Sequence, residues 1–117
     1  MKSALPLMPL LLTLASPIQA EPVQPELSEG KKLAFDRDKG NCLACHEIED
    51  GESPGNIGPP LANLPARFKD KRQLRQQIWD AMVFNPETSM PPFGRNKILT
   101  EDEIDRVVDY LWSLKSS

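Results

Sequence analysis

The sequence predicts an all-α fold, with helices joined by proline-rich loops. Apolar residues recur at helical spacing in stretches opened by capping residues, and no run alternates apolar and polar residues as a half-buried strand does. Prolines cluster between the periodic stretches rather than inside them. No internal repeat or low-complexity run is present.

The elements follow in chain order. Lys2 precedes an apolar stretch from Leu5 to Ala15 that closes on the small-residue approach Ile18-Gln19-Ala20. These features predict a secretory signal peptide over residues 1–20 and a single domain over 21–117. Pro6 and Pro9 break the stretch, which is shorter than the ~20 apolar residues of a membrane span, so an uncleaved anchor is the weaker alternative. Residues 21–26, rich in Pro and Glu, predict a loose arm. Ser28 is placed to cap a first helix with Gly30, Leu33 and Ala34 on one face, ending near Phe35 before a turn at Lys39-Gly40. Glu47 to Pro60, acidic and then rich in Gly and Pro, predicts a loop. Asp70 caps a second predicted helix over Lys71 to Met82, in which Leu74, Ile78 and Met82 fall at i, i+4 and i+8 and which Asn85-Pro86 stops. Thr100 followed by Glu103 has the form of a capping box. The terminal helix it opens carries Ile104, Val107, Val108, Leu111 and Leu114 on one stripe, and the first helix is the natural partner for that stripe.

Cleavage after Ala20 leaves 97 of the 117 residues, with 13 basic and 17 acidic side chains and a formal charge of −4. That balance gives no support to nucleic-acid binding. A chain of this size buries only ~60–65% of its unfolded surface, so its own core is marginal and a buried prosthetic group would supply much of the apolar contact.

Chemistry concentrates in Cys42-Leu43-Ala44-Cys45-His46. Two thiols separated by two residues can add across the two vinyl groups of a porphyrin, and the next residue, His46, is then held under the iron as a ligand. The run therefore predicts covalent attachment of one haem c. A thioredoxin-like pair would need a preceding strand, whereas Ala34 to Asn41 reads as a helix end and a turn. A zinc site would need a second Cys/His cluster, and His46 is the single histidine of the chain.

A second axial ligand is most simply a methionine, and Met82 and Met90 are the two beyond the leader. Met82 lies on the stripe of the predicted second helix, where methionine is more often core filler. Met90 sits in Asn85-Pro86-Glu87-Thr88-Ser89-Met90-Pro91-Pro92-Phe93-Gly94, outside any helical pattern. A thioether is a soft, neutral and rather weak donor, and a loop stiffened by Pro86, Pro91 and Pro92 loses less entropy on holding it. Met90 is therefore the predicted ligand, against the alternative of an exposed loop residue with a lysine or water on iron. In Gly58-Pro59-Pro60-Leu61, the Pro59 carbonyl is placed to accept the His46 Nδ1 proton and fix its tautomer. Trp79 and Phe93 are candidate pocket walls. The basic run Arg67, Lys69, Lys71, Arg72 and Arg75 is either a solvated face or a docking patch for an acidic partner. With Cys42 and Cys45 in thioethers no free thiol remains, and no residue is assigned a catalytic role.

The haem motif, the Gly58-Pro59 turn, the Met90 loop and the terminal helix together resemble the class I cytochrome c family. More specifically, Ala34-Phe35-Asp36, Lys39 to His46, Pro54 to Leu61, Gln77-Ile78-Trp79-Asp80, Asn85-Pro86, Met90 to Gly94, Ile98-Leu99-Thr100 and Glu103-Ile104-Asp105 are similar to the SoxX family, the small cytochrome subunits of SoxXA complexes. That resemblance implies a class I cytochrome c fold, one haem with His46 and Met90 as axial ligands, and a role in periplasmic sulfur oxidation. There SoxXA joins thiosulfate to a cysteine of the SoxYZ carrier, and electrons pass to an acceptor cytochrome. It also implies a heterodimer with a SoxA-type larger haem subunit that holds the catalytic haem. A freestanding soluble cytochrome c shuttling electrons to an oxidase or reductase is the alternative. A haem-based gas sensor would need an easily displaced sixth ligand.

Overall fold

The computed structural model describes residues 3–11 and 25–115. The predicted leader cleavage after Ala20 and most of the predicted 21–26 arm lie outside the described residues. Residues 3–11 take no regular structure, and Leu5, Leu7, Met8, Leu10 and Leu11 are largely exposed there. The domain is built on α1 (Pro25–Phe35), α2 (Lys71–Trp79) and α3 (Glu101–Ser113), with short 3-10 turns at Cys42–Ala44, Leu64–Ala66 and Ala81–Val83. No strand occurs among the described residues. No described helix is long and apolar enough to cross a membrane.

α1 starts three residues before the expected cap, so Ser28 lies inside the helix and Pro25 opens it. A first-turn position suits proline, whose fixed φ is helical and whose missing N–H has no intrahelical partner to lose. The end at Phe35 is as expected, and Gly40 N donates to the Leu33 carbonyl across the following turn at 3.0 Å. α1 packs chiefly against α3. Gly30 makes that crossing close, because a Cβ there would fall 2.7 Å from Tyr110 Cβ and 2.8 Å from the Arg106 carbonyl carbon. Phe35 meets Tyr110 edge-to-face with ring centroids 6.3 Å apart.

The capping box of α3 is present in full. Glu103 N donates to Thr100 Oγ1 at 3.1 Å, and Thr100 N donates to Glu103 Oε1 at 2.9 Å. Ile104, Val107, Val108 and Leu111 are buried as the periodicity predicts, and Leu114 is half-buried at the C-cap.

α2 is capped as expected, Gln73 N donating to Asp70 Oδ1 at 2.9 Å, but it stops at Trp79 rather than Met82. Asp80 is the cause. Its backbone turns extended (φ −157°, ψ 91°), and its side chain accepts from Met82 N at 3.1 Å, capping a separate 3-10 turn. A short carboxylate competing for backbone donors ends a helix in this way. Met82 thus leaves the apolar stripe and is 40% exposed, so its predicted role as helical core filler is corrected. Lys71 pairs with Asp109 at 3.0 Å and Arg75 with Asp105 at 2.6 Å, which fastens α2 alongside α3.

Candidate haem site

The three helices leave a cavity of about 690 Å³ between them and the loops. Its size falls within the ~300–1,000 Å³ of small-molecule and cofactor sites. The stretch 42–46 contributes Cys42, Cys45 and His46 to its lining, the following loop Ile57 and Pro59, α2 Leu74 and Ile78, the 88–93 segment Met90 and Phe93, and α3 Val107 and Leu111. The predicted cofactor residues are therefore brought together from segments far apart in sequence.

The local fold explains each placement. Asn41 adopts a left-handed backbone (φ 49°) and starts the 3-10 turn, in which Cys45 N donates to the Cys42 carbonyl at 3.2 Å and His46 N donates to the same oxygen at 2.9 Å. Gly58 N donates to the Cys45 carbonyl at 2.7 Å and draws the following loop against the histidine. A Cβ on Gly58 would lie 2.6 Å from His46 Nδ1 and 2.8 Å from Nε2, so only glycine lets backbone and imidazole pack flat. His46 Nδ1 lies 2.6 Å from the Pro59 carbonyl oxygen. A carbonyl can only accept, so Nδ1 carries a proton, and Nε2 is the ring nitrogen left to bind a metal.

The Met90 segment hangs from the end of α2. Gly94 N and Arg95 N both donate to the Trp79 carbonyl, at 3.1 and 3.2 Å, and Arg95 reaches Asp80 at 3.4 Å. Met90 N donates to Thr88 Oγ1 at 3.1 Å. Phe93 lines the cavity, whereas Trp79 does not; its ring lies against Gly94, with Arg75 5.3 Å from the ring centroid on one face. The expectation of Trp79 as a pocket wall is corrected accordingly. The basic run is also largely spoken for, since Lys71 and Arg75 pair with α3 and Arg67 Nη1 donates to the Pro60 carbonyl at 2.8 Å.

Burial pushes the Cys42 thiol up to about 11, with the neighbouring Cys45 adding to the rise. Redox-active Cys-x-x-Cys pairs have a depressed thiol instead. Among the described residues, no group of three or more His, Cys, Asp or Glu side chains is arranged to hold a metal ion by itself. The donor set and the apolar cavity fit a haem, which Cys42 and Cys45 would bond and for whose iron His46 and Met90 are the candidate ligands. Such a group supplies a one-electron couple.

Residues 27–115 match the family model described as Cytochrome c. The chain belongs to the cytochrome c family. This cytochrome is 31% identical to a chain of the crystal structure of SoxXA from P. pantotrophus, with a TM-score of 0.68 over 76% of this chain and 81% of that one. It is also 35% identical over 74 residues to an uncharacterized lipoprotein of Aquifex aeolicus (strain VF5), matching 62% of this chain. The match spans only 36% of that protein's length. Family and fold support a SoxX-type c-type cytochrome with the all-α class I architecture, one covalently bound haem c, and electron transfer as its function.

Three residues at the site escape sequence reasoning. Arg67 was legible only as one member of a basic run, and Thr88 only as part of a loop. Gln77 lines the cavity and is legible in the sequence only as part of the Gln77-Ile78-Trp79-Asp80 block, with no role attached to it.

Proposed function

We propose that this cytochrome is the mono-haem electron-transfer subunit of a SoxXA-type complex that joins thiosulfate to a carrier cysteine, working in the periplasm after export on a leader over residues 1–20. The observation that carries the redox role is the convergence of Cys42, Cys45, His46 and Met90 on one cavity. The likeness to a SoxXA chain supports the sulfur-oxidation role. His46 and Met90 are the axial pair in this reading, and the Pro59 carbonyl holds the imidazole in the tautomer that binds iron.

Joining a carrier cysteine to thiosulfate forms one S–S bond and releases one proton and two electrons. With both cysteines in thioethers the chain offers no thiolate to take part in bond formation, so the bond is made on a SoxA-type larger haem subunit. This cytochrome takes electrons singly and passes them to an acceptor cytochrome. Ile57 lines the cavity and is 73% exposed, which gives the partner an apolar contact at its mouth. Docking that rests on apolar contact persists in moderate salt, because screening acts on charges.

The test combines gel filtration with turnover. Haem-loaded cytochrome alone, given SoxYZ-type carrier, thiosulfate and an acceptor cytochrome, is expected to show no thiosulfate-dependent acceptor reduction. Adding the larger haem subunit is expected to restore it through a heterodimer that survives moderate salt. Sustained turnover by the cytochrome alone refutes this division of labour. Absence of a complex at micromolar concentration favours a freestanding electron shuttle.

A further inference from the structure

The Met90 sulfur has a partner that neither the haem motif nor the family match assigns. Gln77 Nε2 lies 3.9 Å from Met90 Sδ, within hydrogen-bond range for the larger sulfur atom, and both residues line the cavity. Gln77 sits in the last turns of α2, the same helix end whose Trp79 carbonyl accepts from Gly94 N and Arg95 N. Met90 is therefore held at two points, its backbone N–H by Thr88 Oγ1 at 3.1 Å and its sulfur by the Gln77 amide.

A thioether sulfur carries two lone pairs and is a weak acceptor. An N–H aimed at one of them leaves the other free for a metal and discourages the sulfur from inverting. Because the amide belongs to a helix and not to the mobile end of a loop, it also resists rotation of the methionine side chain out of the cavity. We propose that Gln77 is the positioning residue of the Met90 thioether: it selects which sulfur lone pair faces the haem iron and slows displacement of Met90 by competing ligands. The inference rests on Met90 being the axial ligand.

The experiment uses haem-loaded ferric protein and two variants. Gln77→Leu removes the amide, and Gln77→Glu keeps the size but presents a carboxylate with no N–H at neutral pH. The weak charge-transfer band of a ferric iron–sulfur bond reports ligation, and titration with imidazole reports how readily Met90 is displaced. Wild type is expected to show the band. Both variants are expected to shift it and to bind imidazole about three- to tenfold more tightly, the range that loss of one net hydrogen bond allows. Absence of the band in wild type overturns Met90 ligation, and the inference with it. A band in wild type with unchanged energy and imidazole affinity in both variants overturns the inference alone. A change in Gln77→Leu but not Gln77→Glu marks a space-filling role, and the reverse marks a carboxylate effect; either overturns it.

Discussion

At the scale of single residues, the site depends on a few side chains whose removal has separable effects. A neutral thioether favours ferrous iron, so Met90→Ala is expected to lower the reduction potential and abolish the iron–sulfur charge-transfer band. Met82→Leu is expected to leave both nearly unchanged, because Met82 is outside the cavity lining and 40% exposed. Potentiometry and near-infrared absorption decide between the two methionines, and a reversed result reassigns the ligand. Gly58→Ala is a different kind of lesion. Its methyl would fall 2.6 Å from His46 Nδ1 with the Pro59 carbonyl on the same nitrogen, so the imidazole has to tilt away from its acceptor. Haem staining of equal amounts of purified polypeptide is expected to show a several-fold lower loaded fraction.

At the scale of elements, α3 ties the haem-bearing loop to the helix core through one carboxylate. Glu103 is held below the usual carboxylate range, first by the Thr100 backbone N–H, with Lys39 adding to the effect. Lys39 stands three residues before Cys42 and reaches Glu103 at 3.2 Å, so the capping box and the loop share an anchor. A depressed pKa stabilises the fold above the ordinary carboxylate range and loses that contribution as pH falls through the depressed value. Glu103→Gln is therefore expected to be less stable than wild type at neutral pH, with the gap closing in acid; denaturant unfolding at both conditions checks the sign. Gly30→Ala tests the helix crossing. In an exposed helix the change gains roughly 1 kcal/mol, but here the new methyl meets the Arg106 carbonyl and Tyr110 Cβ of α3, so unfolding is expected to show a loss. The sequence displayed α3 almost completely because a capping box and a long apolar stripe are local signals. It displayed the start of α2 through Asp70 but hid its end, since Leu74, Ile78 and Met82 keep helical spacing across a break that Asp80 makes by bonding to Met82 N. Cys42, Cys45 and His46 were legible from adjacency alone. Gln77 was not, because its meaning depends on a contact with Met90 thirteen residues away.

At the scale of the whole molecule, the cavity and the core are one object. Leu74, Ile78, Phe93, Leu99, Val107 and Leu111 belong to the buried cluster and also line the cavity. A small domain whose core residues also line an open cavity of about 690 Å³ has few contacts with which to offset chain entropy. Protein carrying Cys42→Ser and Cys45→Ser, exported without haem, is expected to lose near-ultraviolet dichroism and to unfold without a cooperative heat-absorption peak. A sharp calorimetric transition close to that of the haem-loaded protein refutes this view of the core.

The shared cavity is also expected to set the lifetime of the polypeptide. Proteases act on open chain, and a copy that lacks the contacts of the haem is expected to open more often than a loaded one. Degradation then removes whatever haem attachment has not reached. When haem supply is restricted, the amount of this polypeptide is expected to fall in step, leaving no reservoir of empty protein to be filled later. Pulse-chase labelling with and without haem limitation measures that directly. Abundance of the chain thereby becomes a count of successful attachments at Cys42 and Cys45.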